Sequence, residues 1–308
     1  MLPTPDTSHV AYERIYEPAE DSFLFLDTLA SASETAFLRD RFFFHHRHHQ
    51  HHHNDAADGK PPPPPFVVEI GPGSGVVIAF ANAQADVLFG TPRILTAAVD
   101  VNVHACRATG ETVRKATAAA AAAAASVKRK EGSGNGSDGG IGSGTWLDAS
   151  RGDLTAPLRD GCVDVLIFNP PYVPTPEMPA TPRGNSSGDD GDGEGEGQRS
   201  KAAPAGSSSS STFDADSHLL ALSYAGGRDG METTERLLAD LPRVLSARGC
   251  AYVLLCAQNR PEEVKRRVVG GEYWGGDGLG WRAETVGSSG KTAGWEKLQI
   301  IRIWREMN

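Results

Sequence analysis

The chain has 308 residues and a net charge of −9, from 39 acidic and 30 basic side chains. Proteins that follow nucleic-acid phosphates bind them mainly through Lys and Arg, so this charge argues against a large nucleic-acid surface. No segment approaches the roughly 18 apolar residues of a membrane helix, and the first 21 residues lack the apolar core of a signal peptide. We therefore expect neither a membrane span nor a signal peptide.

The four cysteines are spaced without a Cys-x-x-Cys pair. Cys162, Cys250 and Cys256 lie in or beside segments that are predicted to be strands, where a thiol packs as a small apolar side chain. We expect thiols rather than disulfides. Cysteine usage of this kind is typical of a reducing compartment, so we expect a cytoplasmic location, with the nucleus as a further compartment.

The first periodic segment predicts a helix over residues 20–29. Pro18 precedes two carboxylates, Glu20 and Asp21, which suit the positive end of a helix dipole. The apolar side chains that follow at helical spacing are Phe23, Leu26 and Leu29.

Three low-complexity inserts follow, at residues of about 40–65, 110–144 and 176–217. The first has seven histidines in nine positions and then five prolines; a solvated loop is favoured there, and metal binding is the alternative. The acidic, Gly-rich run in the third insert is interpreted as a solvated linker rather than a calcium loop, because no helices flank it. We expect the inserts to be disordered within a single domain that spans residues 1–308.

Outside the inserts, short strands alternate with helices. The predicted strands are residues 66–70, 94–99, 145–148, 163–168, 250–256, 280–286 and 297–304. The predicted helices after the first are residues 76–85, 103–125, 231–247 and 261–269. This alternation predicts an α/β fold in which a mostly parallel sheet is covered by helices on both faces.

A glycine-rich turn joins the first strand to its helix. Gly71, Gly73 and Gly75 follow Glu69 at alternate positions. Glycines let the backbone pass close to a ligand, and a helix N-terminus offers N–H groups. The spacing differs from the Gly-x-Gly-x-x-Gly of dinucleotide sites, which disfavours a nicotinamide dehydrogenase. Such a turn can also be purely structural.

Two further carboxylates follow later strands. Asp100 ends the second strand, where it could accept both hydroxyls of a ribose, although a capping or ion-pair role is the simpler alternative. Asp153, followed by Leu154, comes after the third strand, where it could meet an adenine amino group or merely occupy a turn. With Glu69 these acids predict a pocket at the carboxyl edge of the sheet. Because carboxylates would repel a pyrophosphate, the pocket resembles the S-adenosylmethionine site of class I methyltransferases.

An uncharged amide and two prolines follow the fourth strand. The four residues are Asn169, Pro170, Pro171 and Tyr172. The prolines stiffen the loop, so the Asn169 side-chain oxygen and the Pro170 carbonyl could both accept N–H bonds from one planar substrate NH2. Such bonds would favour localisation of the nitrogen lone pair toward the methyl group that is transferred. The Tyr172 ring could pack against the planar group that carries the NH2. A bare tetrapeptide of this kind could instead be only a rigid turn.

The combination resembles the (Asp/Asn)-Pro-Pro-Tyr methyltransferases and, more narrowly, the eukaryotic HemK-like release-factor glutamine N5-methyltransferases. Three further stretches are similar to that branch: residues 16–23 (YEPAEDSF), 224–230 (YAGGRDG) and 293–298 (AGWEKL). Pro72 departs from the Ser or Thr that is frequent in the family. The third insert directly follows residues 169–172 and so flanks a region that is expected to face the substrate.

The resemblance implies a seven-stranded Rossmann-like sheet whose last strand is antiparallel. It implies S-adenosylmethionine as the cofactor and no metal. The cofactor-binding residues that it implies are Ser22, Glu69, Gly71, Gly73, Gly75, Asp100, Asp153, Leu154 and Asn169. The catalytic residues would be Asn169, Pro170 and Tyr172, and with Pro171 they would also bind the substrate.

The resemblance also implies a substrate and a partner. The acceptor would be the glutamine of the Gly-Gly-Gln motif in the class 1 translation release factor. The chain would be the catalytic subunit of a heterodimer with a small zinc-binding activator, which would cover apolar surface near the third strand.

Three alternatives remain. A DNA adenine N6-methyltransferase has a similar Asn-Pro-Pro-Tyr loop, but it needs phosphate contacts and base flipping, which the net charge of −9 disfavours. Methylation of histone lysine would use the same pocket, although lysine is less suited to a pair of acceptors for a planar amide. A non-catalytic cofactor-binding scaffold would not need Asn169.

Overall fold

Seven apolar segments form the strands of one sheet. The computed structural model describes residues 2–44, 62–130, 142–179, 217–276, 278–289 and 297–307. The strands are β1 (Phe66–Ile70), β2 (Leu95–Asp100), β3 (Thr145–Arg151), β4 (Val163–Phe168), β5 (Leu245–Cys256), β6 (Trp281–Ser288) and β7 (Leu298–Arg305). Their order across the sheet is β3-β2-β1-β4-β5-β7-β6. Strands β1 to β5 pair in parallel, and β7 runs antiparallel to β5 and β6, so the predicted sheet is confirmed.

Helices cover both faces of this sheet. They are α1 (Glu20–Leu29), α2 (Ala32–Arg39), α3 (Val76–Ala83), α4 (Ala85–Phe89), α5 (Val103–Lys130), α6 (residues 217–224), α7 (Glu232–Val244) and α8 (Pro261–Val269). Alternate strand residues face opposite ways, so Val67 packs with α1 to α5 whereas Val68 packs with α7 and α8. Because both faces are buried, β1 and β4 are almost continuously apolar.

The first helix has its predicted bounds but a different buried face. Phe25, Leu26 and Leu29 are buried, whereas the side chain of Phe23 is 44% exposed. Phe23 therefore does not lie on the buried face of α1, although it is at helical spacing from Leu26 and Leu29. Asp21 and Ser22 occupy the buried face instead, and this places two polar side chains inside the molecule.

Two of the inserts begin later than predicted. Helix α5 continues through the alanine run to Lys130, because alanine has the highest intrinsic helix propensity, and Val113 and Ala116 on it are buried. A single π-helical turn, Asp40–Phe44, follows α2 and buries Phe42. The histidine run and the acidic run lie outside the described residues.

Some boundaries also differ near β5. Helix α7 ends at Val244, and the next residue already pairs with Val163, so β5 begins five residues before the predicted residue 250. Helices α2, α4 and α6 were not predicted; each has eight residues or fewer, which is too short for a clear helical period. Within the described residues no disulfide joins the four cysteines, and Cys250 and Cys256 are buried in β5 as expected.

A buried ion pair connects α2 to the sheet. The Glu34 carboxylate accepts hydrogen bonds from Arg302 Nη1 at 2.8 and 2.9 Å and from the Tyr252 hydroxyl at 2.8 Å. Arg302 also contacts Glu284 at 3.2 Å, but the side chain of Glu284 is 60% exposed. Helix α2 therefore depends on the buried pair, whereas the Glu284 contact is largely solvated.

Glu34→Ala should lower the free energy of unfolding by about 3–5 kcal/mol, because it leaves a buried guanidinium and a hydroxyl with fewer partners. Glu284→Ala removes the exposed carboxylate from the same arginine and should cost less than about 1 kcal/mol. Urea denaturation of the two variants measures both values. Equal losses would contradict this account of how α2 is held.

Candidate active site

A cavity of about 390 Å³ lies at the carboxyl ends of β1, β2, β3 and β4. Its size is within the range of small-molecule sites. The predicted site residues that line it are Ser22, Glu69, Gly71, Gly73, Asp100, Asp153, Leu154, Asn169, Pro170, Pro171 and Tyr172. The parallel register explains this convergence, because Ile70 is paired with both Val99 and Phe168, so the residues that follow these strands share one edge.

Gly75 is the exception among the predicted glycines, because it is not among the residues that line the cavity. Its φ is +79°, and an added Cβ would approach the Cα of Thr109 on α5 to 2.6 Å. Gly75 is therefore required for close packing of α3 against α5. By contrast, a Cβ on Gly71 would have no atom within 4 Å, so Gly71 borders open space.

Glu69 is buried at the end of β1 and accepts a hydrogen bond from the first turn of the next helix. The N–H of Ile78 in the first turn of α3 donates to Glu69 Oε2 at 2.8 Å. Burial raises the pKa of this carboxyl to about 8, and the charge of the nearby Asp100 also raises it. Glu69 thus caps α3 from the strand.

Asp100 has a similar environment at the end of β2. Its two oxygens accept from the backbone N–H groups of Asn102 at 2.8 Å and Gly73 at 3.3 Å. Burial raises its pKa to about 6, although these N–H donors oppose the shift. Asp100 therefore connects the Gly-rich turn to β2 and lies in the wall of the cavity.

Asp153 and Leu154 line the cavity just after β3, the strand beside β2. Asp153 is ion-paired with Arg236 of α7 at 2.6 Å, and both side chains are about half exposed. Leu154 has a φ of +49°, an uncommon conformation for a residue with a side chain. Strained backbone of this kind is frequent at ligand sites, and nothing in the sequence indicated it.

The Asn169 side chain has one satisfied end and one unsatisfied end. Its Nδ2 donates to Asp21 Oδ2 at 3.0 Å. Its Oδ1 is buried, and no donor in the described part of the chain hydrogen-bonds it. Because buried acceptors are nearly always satisfied, an unsatisfied acceptor on a residue that lines a cavity indicates a ligand with an N–H or O–H group.

The loop of residues 169–172 is supported from behind by residues 225–230. A Cβ on Gly226 would collide with the Pro171 carbonyl oxygen, and one on Gly230 would collide with that of Tyr172. The buried Asn259 donates from Nδ2 to the Tyr172 carbonyl at 3.3 Å and to the Asp229 carbonyl at 3.0 Å. This glycine loop therefore supports the Asn-Pro-Pro-Tyr loop and does not itself line the cavity.

The N-terminal element reaches the cavity at three positions. Tyr16, Asp21 and Ser22 line it, and the Asn102 side chain donates to the Arg14 carbonyl at 2.9 Å. Residues 16–23 therefore lie beside the Asn-Pro-Pro-Tyr loop. The third stretch of that resemblance, residues 293–298, lies mostly outside the described residues.

One wall of the cavity is apolar and was not predicted from the sequence. Its members are Met178 and, on α6, Leu219, Leu222 and Tyr224. The spacing of Leu219 and Leu222, three residues apart, could have indicated the apolar face of a helix. It was overlooked because the two residues lie beside the third insert.

In the described ranges no cluster of three or more His, Cys, Asp or Glu is placed to hold a metal. None of the helices in those ranges has the length and apolarity needed to cross a bilayer.

The fold and the site together define the class of the protein. The sheet order places an acid-lined cavity at the carboxyl ends of its parallel strands, and an Asn-Pro-Pro-Tyr loop closes one side of that cavity. An unsatisfied amide acceptor on a residue that lines this cavity suits transfer to a nitrogen. The chain is a methyltransferase.

Comparisons with known proteins agree with this class. No family model matches the chain. It is 28% identical to Methyltransferase HEMK2 of Mus musculus over 98% of this chain and 96% of that protein. It is 29% identical to the eRF1 methyltransferase catalytic subunit mtq2 of Schizosaccharomyces pombe over 99% of this chain and 96% of that protein. This similarity extends over nearly the full length and supports the resemblance of residues 16–23 and 169–172 to the HemK-like methyltransferases.

A solved structure to which the chain is similar is a SAM-dependent methyltransferase from Aquifex aeolicus. The TM-score is 0.35 and the identity 10%, over 93% of this chain and 99% of that one. Because this TM-score is low, the comparison carries no argument about the fold, which rests on the strand order described above.

The raised pKa of Glu69 predicts a pH dependence of stability. A carboxyl whose folded pKa is about 8, against an ordinary 4.5, stabilises the fold below pH 4.5 and loses that contribution as the pH rises through 8. The melting temperature of the protein without ligand should therefore fall between pH 5 and pH 8.5. Glu69→Gln keeps an acceptor for Ile78 and should flatten this part of the curve. Parallel curves for the two proteins would contradict the buried-acid account.

Proposed function

We propose that the protein transfers a methyl group from S-adenosylmethionine to the side-chain amide of the glutamine in the Gly-Gly-Gln motif of a class 1 translation release factor. The observation that carries this proposal is the buried, unsatisfied Asn169 Oδ1 in the cavity wall beside Pro170. The name of the fission-yeast relative, an eRF1 methyltransferase catalytic subunit, supports the choice of acceptor. We also propose that the protein works in the cytoplasm, where release factors act.

The residues of the cavity fit this cofactor. Glu69, Asp100 and Asp153 surround the Gly-rich turn with acids, which suits a cationic ligand without phosphate groups. The open space beside Gly71 gives the ligand room against the backbone. Ser22 and Leu154 complete the proposed cofactor-binding residues. When bound, S-adenosylmethionine supplies an electrophilic methyl group on a sulfonium.

The residues of the Asn-Pro-Pro-Tyr loop prepare the acceptor nitrogen. An amide nitrogen is a poor nucleophile because its lone pair is delocalised into the carbonyl. Asn169 Oδ1 and the Pro170 carbonyl can accept its two N–H bonds, hold the nitrogen in one orientation and favour a localised lone pair. Tyr172 lines the same cavity, where its ring can pack against the planar group.

Adenine presents the same type of amino group, so this pair of acceptors does not by itself exclude DNA. A DNA enzyme needs cationic contacts to phosphates and a means of flipping the base. The net charge of −9 and the acids around the cavity disfavour such contacts. A lysine acceptor would arrive as an ammonium with three donors and would first have to lose a proton. A glutamine amide is therefore favoured.

We further propose that a small zinc-binding activator docks against the edge strand β3. β3 is the first strand of the sheet order, and no strand in the described ranges pairs with its outer edge. Leu147 on this strand is 52% exposed and Trp146 is half-buried. An open strand edge with exposed apolar side chains is a liability unless a partner covers it. The word "subunit" in the name of the fission-yeast relative supports a heterodimer.

Asn169→Ala and Asp100→Ala should affect different steps. Loss of the Asn169 acceptor should lower kcat by about 100- to 1,000-fold while the Kd for the cofactor changes little. Loss of the Asp100 carboxylate should raise that Kd by about 10- to 100-fold. Methyl transfer with labelled cofactor and calorimetric binding measure the two effects. Equal losses of transfer and cofactor binding in Asn169→Ala would contradict its proposed role.

The acceptor itself is tested with the co-expressed heterodimer. Purified release factor, duplex DNA and histones are supplied in parallel with labelled S-adenosylmethionine, and peptide mass spectrometry locates the label. We expect a gain of one methyl group on the Gly-Gly-Gln glutamine and none after that glutamine is changed to alanine. Label on DNA or histone in place of the glutamine would overturn the proposed acceptor.

Leu147→Glu should weaken the heterodimer, because it places a charge on the apolar part of the β3 edge. Leu279→Glu is the matched control, since Leu279 is 76% exposed and precedes β6 at the opposite edge of the sheet. Co-purification from cells and size-exclusion chromatography report on the complex. We expect loss of the activator only with Leu147→Glu. Retention of the activator by both variants would contradict docking on β3.

A further inference from the structure

We propose that Asp21 is a positioning residue that sets the orientation of the Asn169 amide. This inference rests on the proposed function, because it concerns how the acceptor for the substrate NH2 is presented. Asp21 lies in the first turn of α1, 148 residues before Asn169. Its side chain nevertheless meets the Asn-Pro-Pro-Tyr loop inside the molecule.

The orientation problem arises from the shape of the amide. The oxygen and the NH2 of asparagine are nearly equal in size, so a half turn about the last side-chain bond exchanges an acceptor for a donor. With Oδ1 toward the cavity, Asn169 accepts a substrate N–H. With Nδ2 toward the cavity, two donors would face each other and the substrate nitrogen would lose one of its two acceptors.

Asp21 distinguishes these two orientations. Its Oδ2 accepts from Asn169 Nδ2 at 3.0 Å, and an ionised carboxylate can only accept hydrogen bonds. The flipped amide would place Asn169 Oδ1 against this carboxylate, acceptor against acceptor, in a site where Asp21 is only 2% exposed. The low local dielectric makes that contact costly. The carboxylate therefore fixes Nδ2 on Asp21 and leaves Oδ1, on the other side of the amide, as the acceptor that has no partner in the described part of the chain.

Asp21 is itself held in place. Its Oδ1 accepts from the Ser22 backbone N–H at 2.6 Å and from the Ser22 hydroxyl at 3.3 Å. The carboxylate also lies in the first turn of α1, at the positive end of the helix dipole. These contacts explain why the buried face of α1 carries Asp21 and Ser22. Glu20 in the same turn is exposed.

A merely structural role would have a different consequence. The Asp21 to Asn169 contact could serve only to attach α1 to the loop after β4, and its loss would then lower stability and cofactor binding together. A role through the amide lowers kcat selectively and disappears when Asn169 is already absent. A double-mutant cycle separates the two cases.

The kinetic experiment uses the heterodimer, release factor and S-adenosylmethionine. Asp21→Ala should lower kcat by about 10- to 100-fold with the KM for the cofactor changed less than about 3-fold. Glu20→Ala, which removes a carboxylate from the same helical turn without touching Asn169, should stay within about 2-fold of the unmodified protein. In the Asn169→Ala background, Asp21→Ala should produce no further loss. Additive losses, or a parallel rise in KM, would overturn the proposal.

A second measurement does not depend on the acceptor. The side-chain NH2 signals of Asn169, identified by their absence in Asn169→Ala, can be followed by 15N-resolved NMR without substrate. Slow hydrogen exchange of these protons is expected in the unmodified protein and in Glu20→Ala, and fast exchange in Asp21→Ala. Unchanged exchange in Asp21→Ala would overturn the role of Asp21. Failure of the unmodified heterodimer to methylate the release factor would instead contradict the proposed function and leave this measurement intact.

Discussion

A buried carbonyl-type oxygen that lacks a hydrogen-bond donor costs free energy, of the order of 1–3 kcal/mol, and folded proteins rarely leave one. Asn169 Oδ1 is such an oxygen, at the point where β4 ends and the cavity begins. The surrounding elements keep it in that state. Two prolines stiffen the chain after Asn169, Asp21 engages the opposite end of its amide, and the loop of residues 225–230 packs against the carbonyls that follow. A substrate N–H that donates to this oxygen would satisfy it.

The same constraint accounts for the distribution of glycine and acid around the site. Gly226 and Gly230 allow one backbone to contact another, so the Asn-Pro-Pro-Tyr loop is supported by main chain rather than by flexible side chains. Asn259 adds hydrogen bonds between the same two segments. On the cofactor side, Glu69 and Asp100 are buried with raised pKa values of about 8 and about 6. A cationic ligand stabilises ionised acids, so a sulfonium is suited to this wall and a phosphate is not.

Much of this arrangement could be predicted from the sequence, because strand-ending motifs combine a local pattern with a fixed place in a parallel sheet. The seven strands, the acids at their ends and residues 169–172 belong to that part. The role of Asp21 could not be predicted, since its contact with Asn169 joins residues 148 apart and depends on which face of α1 is buried. Phe23 was assigned to that face by spacing alone, and the polar pair Asp21 and Ser22 occupies it instead. The extension of α5 to Lys130 was missed because an alanine run has the composition of an insert but the propensity of a helix.

The central claim is that Asn169 Oδ1 and the Pro170 carbonyl together hold the acceptor nitrogen. The most direct measurement is a crystal structure of the heterodimer with the demethylated cofactor and a release-factor fragment that contains the Gly-Gly-Gln loop. The account predicts that the glutamine Nε2 lies within about 3.2 Å of both oxygens, with Asn169 Nδ2 still donating to Asp21. A glutamine nitrogen that is bonded to neither oxygen, or an Asn169 that presents its NH2 to the substrate, would contradict it.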